Sequence, residues 1–293
     1  MDRKNLERRS FLQGLLGAVT TLATQAAPPS EAKLDEAKRL LDSSVQSGKL
    51  RAASLHVRHG EFSFRQAVGE ASPGTVFLIA SITKPLTAAG VMLLAERGEL
   101  KLSDPVRKFI PEFTEGGRKL ITVHHLLTHT SGLPDQLPEN IELRKRHAPL
   151  EEFVERAIRT PLLFEPGQEV RYQSMGFLLA AEVVQRITQH KFRNYLRDEL
   201  FLPLGMRNSE LGLGHLKIEE TAQSQVDEAP GLYGGGTDTQ SWNWNSRYWR
   251  DLGAPWGGAH SSGADLERFL RCFLHPDGSL LRIATAREMI TNQ

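Results

Sequence analysis

Pro85 dictates where one helix of this chain can begin. Proline has no N–H to donate, and its ring collides with a preceding helical turn, so a helix holds it only in the first turn. Leu86, Val91, Met92, Leu94 and Ala95 carry an apolar surface onward to Gly98. The helix therefore starts at or near Ser81. The apolar run Val76-Phe77-Leu78-Ile79-Ala80 leads into it, so its start should be buried at one end and open at the other. Ser81 and Lys84 then share one helical face, within reach of each other.

That pair has a chemical meaning. A serine hydroxyl is a poor nucleophile until a base removes its proton. The ordinary lysine pKa of about 10.4 is too high for this work. Burial and nearby positive charge lower it toward neutrality. The Ser81 N–H at the helix start points outward, where it can stabilise an oxyanion. Spacing alone is not specific. Ser30-Glu31-Ala32-Lys33 repeats it in a charged helix start, where it reads as a cap and a solvated lysine.

The rest of the chain bounds the fold and its partners. Residues 30–47 read as a helix, 52–58 and 61–68 as strands around a turn at His59-Gly60, and most of 122–210 as helices and turns. The clearest of these helices runs from about Ser174 to Thr188. Strands followed by helices indicate a mixed α/β (α+β) protein, a sheet domain with an embedded α domain over roughly 100–210. Formal net charge is +1 with no basic block, which argues against a nucleic-acid partner. Cys272, the single cysteine, lies in an amphipathic stretch and reads as a buried structural thiol. Arg8-Arg9-Ser10-Phe11-Leu12 precedes a short apolar run and the small residues Ala26 and Ala27. This resembles a twin-arginine export signal over residues 1–26, so a periplasmic protein starting near Ala27 is expected. The apolar run is too short for a stable membrane span.

Other signals carry less. His125 and His129 have a zinc-binding spacing, but Leu126 stands where a glutamate base would be needed, so a structural role is expected. Gly234-Gly235-Gly236 lacks the lysine of a phosphate loop. Trp242, Trp244, Tyr248, Trp249 and Trp256 read either as the rim of a site or as packing anchors.

Several ordered segments resemble one family. Thr75 to Ala89, Leu102-Ser103-Asp104-Pro105-Val106, Ile121 to Pro134, Phe164-Glu165-Pro166-Gly167, Pro203-Leu204-Gly205-Met206 and Gly257-Gly258 look like the class C β-lactamase and family VIII esterase group, a penicillin-binding type of serine hydrolase. The resemblance implies a β-lactamase/transpeptidase-like fold over 27–293, with an antiparallel sheet flanked by helices. It makes Ser81 the nucleophile and Lys84 its base. Tyr172, in Tyr172-Gln173-Ser174, falls where the group's second catalytic base or acid stands. Ser174 occupies a substrate-binding position where asparagine is typical. It lacks the amide fork, which favours esters over amides. The implied substrate is a small-molecule ester, a β-lactam or a peptidoglycan-type D-alanyl peptide, with no metal or cofactor. Oligomeric state is left open. Nothing after Tyr172 matches the group's Lys-Thr-Gly or His-x-Gly motif. The expectation is therefore a C-terminally truncated relative lacking the last sheet strands and one oxyanion donor. The alternative is an impaired relative that binds cell-wall fragments.

Overall fold

The structure is a computed structural model that describes residues 27–225 and 242–291. The export pattern over 1–26 and the glycine run at 234–236 lie outside the described residues. The described backbone divides into two units, one ending at Ala37 and the other beginning at Lys38. Helix α1 (Glu31–Gln46) crosses the boundary between them. In the first unit, the Ser30 carbonyl accepts the N–H groups of Lys33 and Leu34, and Lys33 is exposed. That copy of the serine–lysine spacing is a helix start with a solvated lysine.

The second unit opens with the hairpin β1 (Ala52–His59) and β2 (Phe62–Gly69). His59 pairs with Phe62, so the turn is Gly60-Glu61 rather than His59-Gly60. Gly60 has φ +54°, which a two-residue hairpin loop requires and glycine adopts without strain. Strand β3 (Val76–Leu78) and a 3₁₀ turn (Ala80–Ile82) lead into α2 (Thr83–Glu96). The helical part follows as α3 (Val123–Leu127), α4 (Asn140–Lys145), α5 (Leu150–Arg159), α6 (Met175–Thr188) and α7 (Phe192–Leu196). Then come β4 (Glu210–Leu211), α8 (Arg247–Leu252), β5 (Ala259–Ser262), α9 (Gly263–Leu274) and α10 (Ile283–Met289).

The architecture is the mixed α/β arrangement anticipated, with two small antiparallel sheets among the described residues. Strand β5 lies between β3 and β4, pairing Val76 with Ser262 and Leu211 with Ala259. Helix α6 is central, packed against α2, α3, α5 and α7. Its residues Met175 to Val184 are all buried, which suits a sequence apolar on every face. Gly90 lets α2 and α7 approach closely, since a Cβ there would meet Leu196 Cδ2 at 2.8 Å. Helix α9 begins on the Ser262 hydroxyl, which accepts the Asp265 N–H, and it buries Cys272. Its Glu267 carboxylate fastens it to the hairpin through Arg65 at 3.1 Å and Arg58 at 3.6 Å.

The loop between α3 and α4 depends on Gly132, which has φ +79° and whose carbonyl accepts the Leu163 N–H. A Cβ at that position would drive into the Phe164 backbone carbonyl. Gly132→Ala should therefore lower stability by about 1–3 kcal/mol, read as a shift of the chemical-denaturation midpoint. An unchanged midpoint would contradict this account of the loop.

Candidate active site

Ser81 sits in the exposed 3₁₀ turn at the entrance to α2, while Lys84 lies one turn on and is only 4% exposed. The backbone strain is placed immediately before Ser81. Ala80 has φ +45°, a conformation that a residue with a Cβ adopts at a cost. Donors in the first turn of a helix have no intrahelical acceptor, which leaves the Ser81 N–H available to an oxyanion.

Four hydrogen bonds hold this turn against the segment that leads into β5. The Ile79 N–H donates to the Ala259 carbonyl at 2.9 Å. The Ala259 N–H donates to Thr83 Oγ1 at 3.0 Å. Thr87 Oγ1 donates to the Pro255 carbonyl at 2.7 Å, and Lys84 Nζ to the Trp256 carbonyl at 2.9 Å. Lys84 Nζ also lies 3.3 Å from Ser81 Oγ.

Tyr172 arrives from the loop before α6 and completes the group. Its hydroxyl donates to Ser81 Oγ at 2.8 Å. Its ring lies under Lys84 Nζ, 4.6 Å from the centroid. Tyr172 is 44% exposed, so it faces the opening of the site and is no core tyrosine. The structure thus brings together the three residues that the sequence singled out. The Tyr172 contact at 2.8 Å is within the reach that proton transfer requires, and the Lys84 contact at 3.3 Å lies at its edge.

Burial pushes the Lys84 ammonium down to about 8, with Asp135 pulling weakly the other way. The sequence argument invoked burial together with neighbouring positive charge. Burial alone is the lowering cause here. A carbonyl and two aromatic rings, Tyr172 and Phe177, take the place of a carboxylate at the amine.

Ser174, expected at a substrate-binding position, lines the pocket over Ser81. It is buried at the N-cap of α6, yet its hydroxyl makes no cap. It donates to Asp135 Oδ1 at 2.6 Å. The hydroxyl proton is therefore committed inside the protein, and only oxygen lone pairs remain for a substrate.

The pocket over Ser81 is lined by Tyr172, Ser174, Trp244, Trp249 and Trp256, among others. The tryptophans are both rim and anchor, since Trp249 and Trp256 are also buried. Arg144, which the sequence did not flag, lines the same pocket and stacks on Trp249 at 4.4 Å and Trp242 at 4.8 Å. Burial draws its guanidinium down to about 10. A larger cleft of about 420 Å³, bordered by Phe192, Tyr248 and Asp251, is lined by none of Ser81, Lys84 and Tyr172. Chemistry rather than size selects the site.

His125 and His129 do not act as a pair. His125 closes a reciprocal cap at the start of α3: its N–H donates to Thr122 Oγ1, and its Nδ1 accepts the Thr122 N–H. His129 Nδ1 accepts the Gln173 N–H. Some contributors to the site had no sequence signal. The Trp256 carbonyl is a backbone atom, and Asp135 and Arg144 come into play only through packing. Among the described residues no helix is long and apolar enough to cross a membrane.

The lowered Lys84 pKa has a consequence for stability. The unfolded lysine keeps its proton up to about 10.5, the folded one only up to about 8. Between those values the unfolded chain binds more protons, so this group makes folding more favourable as pH rises. The stability of wild type relative to Lys84→Met should accordingly improve from pH 8 to pH 10.5. Denaturation midpoints of the two proteins across that range provide the check, and a constant difference would count against a buried, depressed lysine.

A profile of the beta-lactamase family matches residues 37–293. Esterase EstB of Burkholderia gladioli is 36% identical over 180 residues, covering 54% of this chain and 46% of that protein. Protein flp of Staphylococcus aureus (strain MW2) is 28% identical over 195 residues, covering 62% of this chain and 39% of that one. The chain thus spans less than half the length of these curated relatives. Among solved structures, the D-amino acid amidase from Ochrobactrum anthropi SV3, complexed with D-phenylalanine, superposes with a TM-score of 0.73 at 25% identity. That superposition covers 87% of this chain and 74% of the amidase.

Proposed function

This chain belongs to the beta-lactamase family, and on that premise we propose that it is a serine hydrolase acting through an acyl-enzyme on small carboxylic esters. One observation carries the reading. Ser81 Oγ lies within hydrogen-bond reach of two proton-handling groups, Lys84 Nζ at 3.3 Å and Tyr172 Oη at 2.8 Å.

The geometry supports a definite proton sequence. Neutral Lys84 takes the Ser81 proton as Oγ attacks the ester carbonyl carbon. Tyr172, donating to Oγ, stabilises the alkoxide character that develops there. The carbonyl oxygen becomes an oxyanion against the Ser81 N–H. As the tetrahedral intermediate collapses, the alkoxide leaves and takes a proton from the Tyr172 hydroxyl, which Lys84 replenishes. Water then attacks the acyl-enzyme with the same residues serving in reverse.

Esters are favoured over amides by Ser174. An amide substrate gains from a fork that both donates and accepts. Ser174 has its proton on Asp135 and offers no such fork. The similarity to an esterase supports the same choice. Export rests on the Arg8-Arg9-Ser10-Phe11-Leu12 pattern. A double Arg8→Lys, Arg9→Lys variant should remain in the cytoplasm of a host that exports the parent chain.

Covalent labelling with a fluorophosphonate, followed by mass mapping, tests the nucleophile. Wild type should be modified at Ser81, and Ser81→Ala should lose both label and ester hydrolysis. Replacing Lys84 by arginine should cost about 10²–10⁴ in rate, the usual worth of a positioned general base. The rate of labelling should rise with pH, with a midpoint near 8, as Lys84 loses its proton. A chain that takes no label at Ser81 at any pH would instead be a non-catalytic binder.

A further inference from the structure

Tyr172 has a reactive hydroxyl but lies in a loop, 44% exposed, so something must hold it. Resting on the serine-hydrolase reading above, we infer that His129 is the positioning residue that holds Tyr172 on Ser81. The residues on both sides of Tyr172 are tied to it. The Arg171 N–H donates to the His129 carbonyl at 2.9 Å. The Gln173 N–H donates to His129 Nδ1 at 3.1 Å. The imidazole also lies against the tyrosine ring itself, with centroids 4.8 Å apart and planes at 30°. On its own side the imidazole is steadied by Phe177 of α6, at 5.3 Å. One residue thus fixes the backbone before Tyr172, the backbone after it and its ring.

The chemistry of the imidazole suits this task. An Nδ1 that accepts a hydrogen bond must be unprotonated, which places the ring proton on Nε2. Burial, with Lys84 adding to it, holds the His129 pKa below the ordinary histidine value. The acceptor therefore persists at neutral pH. A charged ring would set an N–H against the Gln173 N–H and release the clamp. His129 is also held at φ +63°, a strained conformation for a residue with a side chain. Strain of this kind persists only where surrounding contacts over-determine it. Here those contacts lead to Tyr172.

A competing explanation is that Gln173 alone anchors the loop. Gln173 is fully buried, takes the Ser131 hydroxyl on Oε1 and donates to the His125 carbonyl. The two explanations separate when His129 is changed and Gln173 is kept.

The experiment measures kcat and KM for hydrolysis of p-nitrophenyl acetate by the full chain. The variants are His129→Gly, His129→Asn, Tyr172→Phe and the His129→Gly/Tyr172→Phe double, each checked for a cooperative thermal melt. Glycine accepts the positive φ and removes both acceptor and ring. Asparagine tolerates that φ and returns an acceptor near the Nδ1 position. His129→Gly should lower kcat about 100-fold, the cost of a small misplacement, with KM little changed. His129→Asn should recover about tenfold of that loss. In the Tyr172→Phe background, His129→Gly should cost less than about twofold, because residues acting as a unit are not additive. An undiminished kcat in His129→Gly would overturn the inference. So would an equal cost in both backgrounds, which marks a general structural role. If His129→Gly does not fold, a folded His129→Asn with less than about a hundredth of wild-type kcat overturns it equally. Hydrolysis unaffected by Ser81→Ala would reject the reading of the site itself, a result distinct from all of these.

Discussion

The site depends on one seam between distant parts of the chain. The end of β3 and the start of α2 are joined to residues 255–259 by the Ile79, Thr83, Lys84 and Thr87 hydrogen bonds. Each of these bonds joins a backbone group to a partner that water cannot replace at the same depth, since Thr83, Thr87 and Ala259 are fully buried. Leaving any of them unpaired would cost the desolvation of a buried polar group. The seam therefore locks two things together: the strand register of β3 on β5 and the position of Ser81 at the helix mouth. The strain at Ala80 is sustained by the same contacts.

The seam also sets the electrostatics. It places a lysine amine under a backbone carbonyl and two aromatic rings rather than beside a carboxylate. A carboxylate in contact would have raised the Lys84 pKa rather than let burial lower it. Asp135 is near enough to raise the Lys84 pKa, and its carboxylate also accepts the Ser174 hydroxyl. The residue that departs from the family pattern thus has a physical role. Among the described residues, its hydroxyl hydrogen-bonds the carboxylate, Asp135, that raises the Lys84 pKa.

Local features were legible without a structure. The helix start near Ser81 followed from the geometry of proline at Pro85, and the Ser81–Lys84 pair followed from helical spacing across the 3₁₀ turn and the first turn of α2. The same spacing at Ser30 could be discounted because Lys33 stands in a charged, solvated start, and it is exposed in the structure. The hairpin strands were readable to within one residue, the slip arising because Gly60 and Glu61, rather than His59 and Gly60, form the turn. Tyr172 lay beyond such reasoning. It is 91 positions from Ser81, and only the ordered family motifs pointed to it.

The amino-acid sequence by itself determined that a serine and a lysine would meet at the mouth of a buried helix, because both lie within a single helical turn. It also determined the family, through motifs in order along most of the chain. Only the tertiary structure decided what lowers the lysine pKa, which partner occupies Ser174, and why His129 sits where it does. Those depend on carbonyls, buried surfaces and ring contacts contributed by segments far apart in the chain. Such contacts have no signature in residue type or spacing until packing brings the segments together.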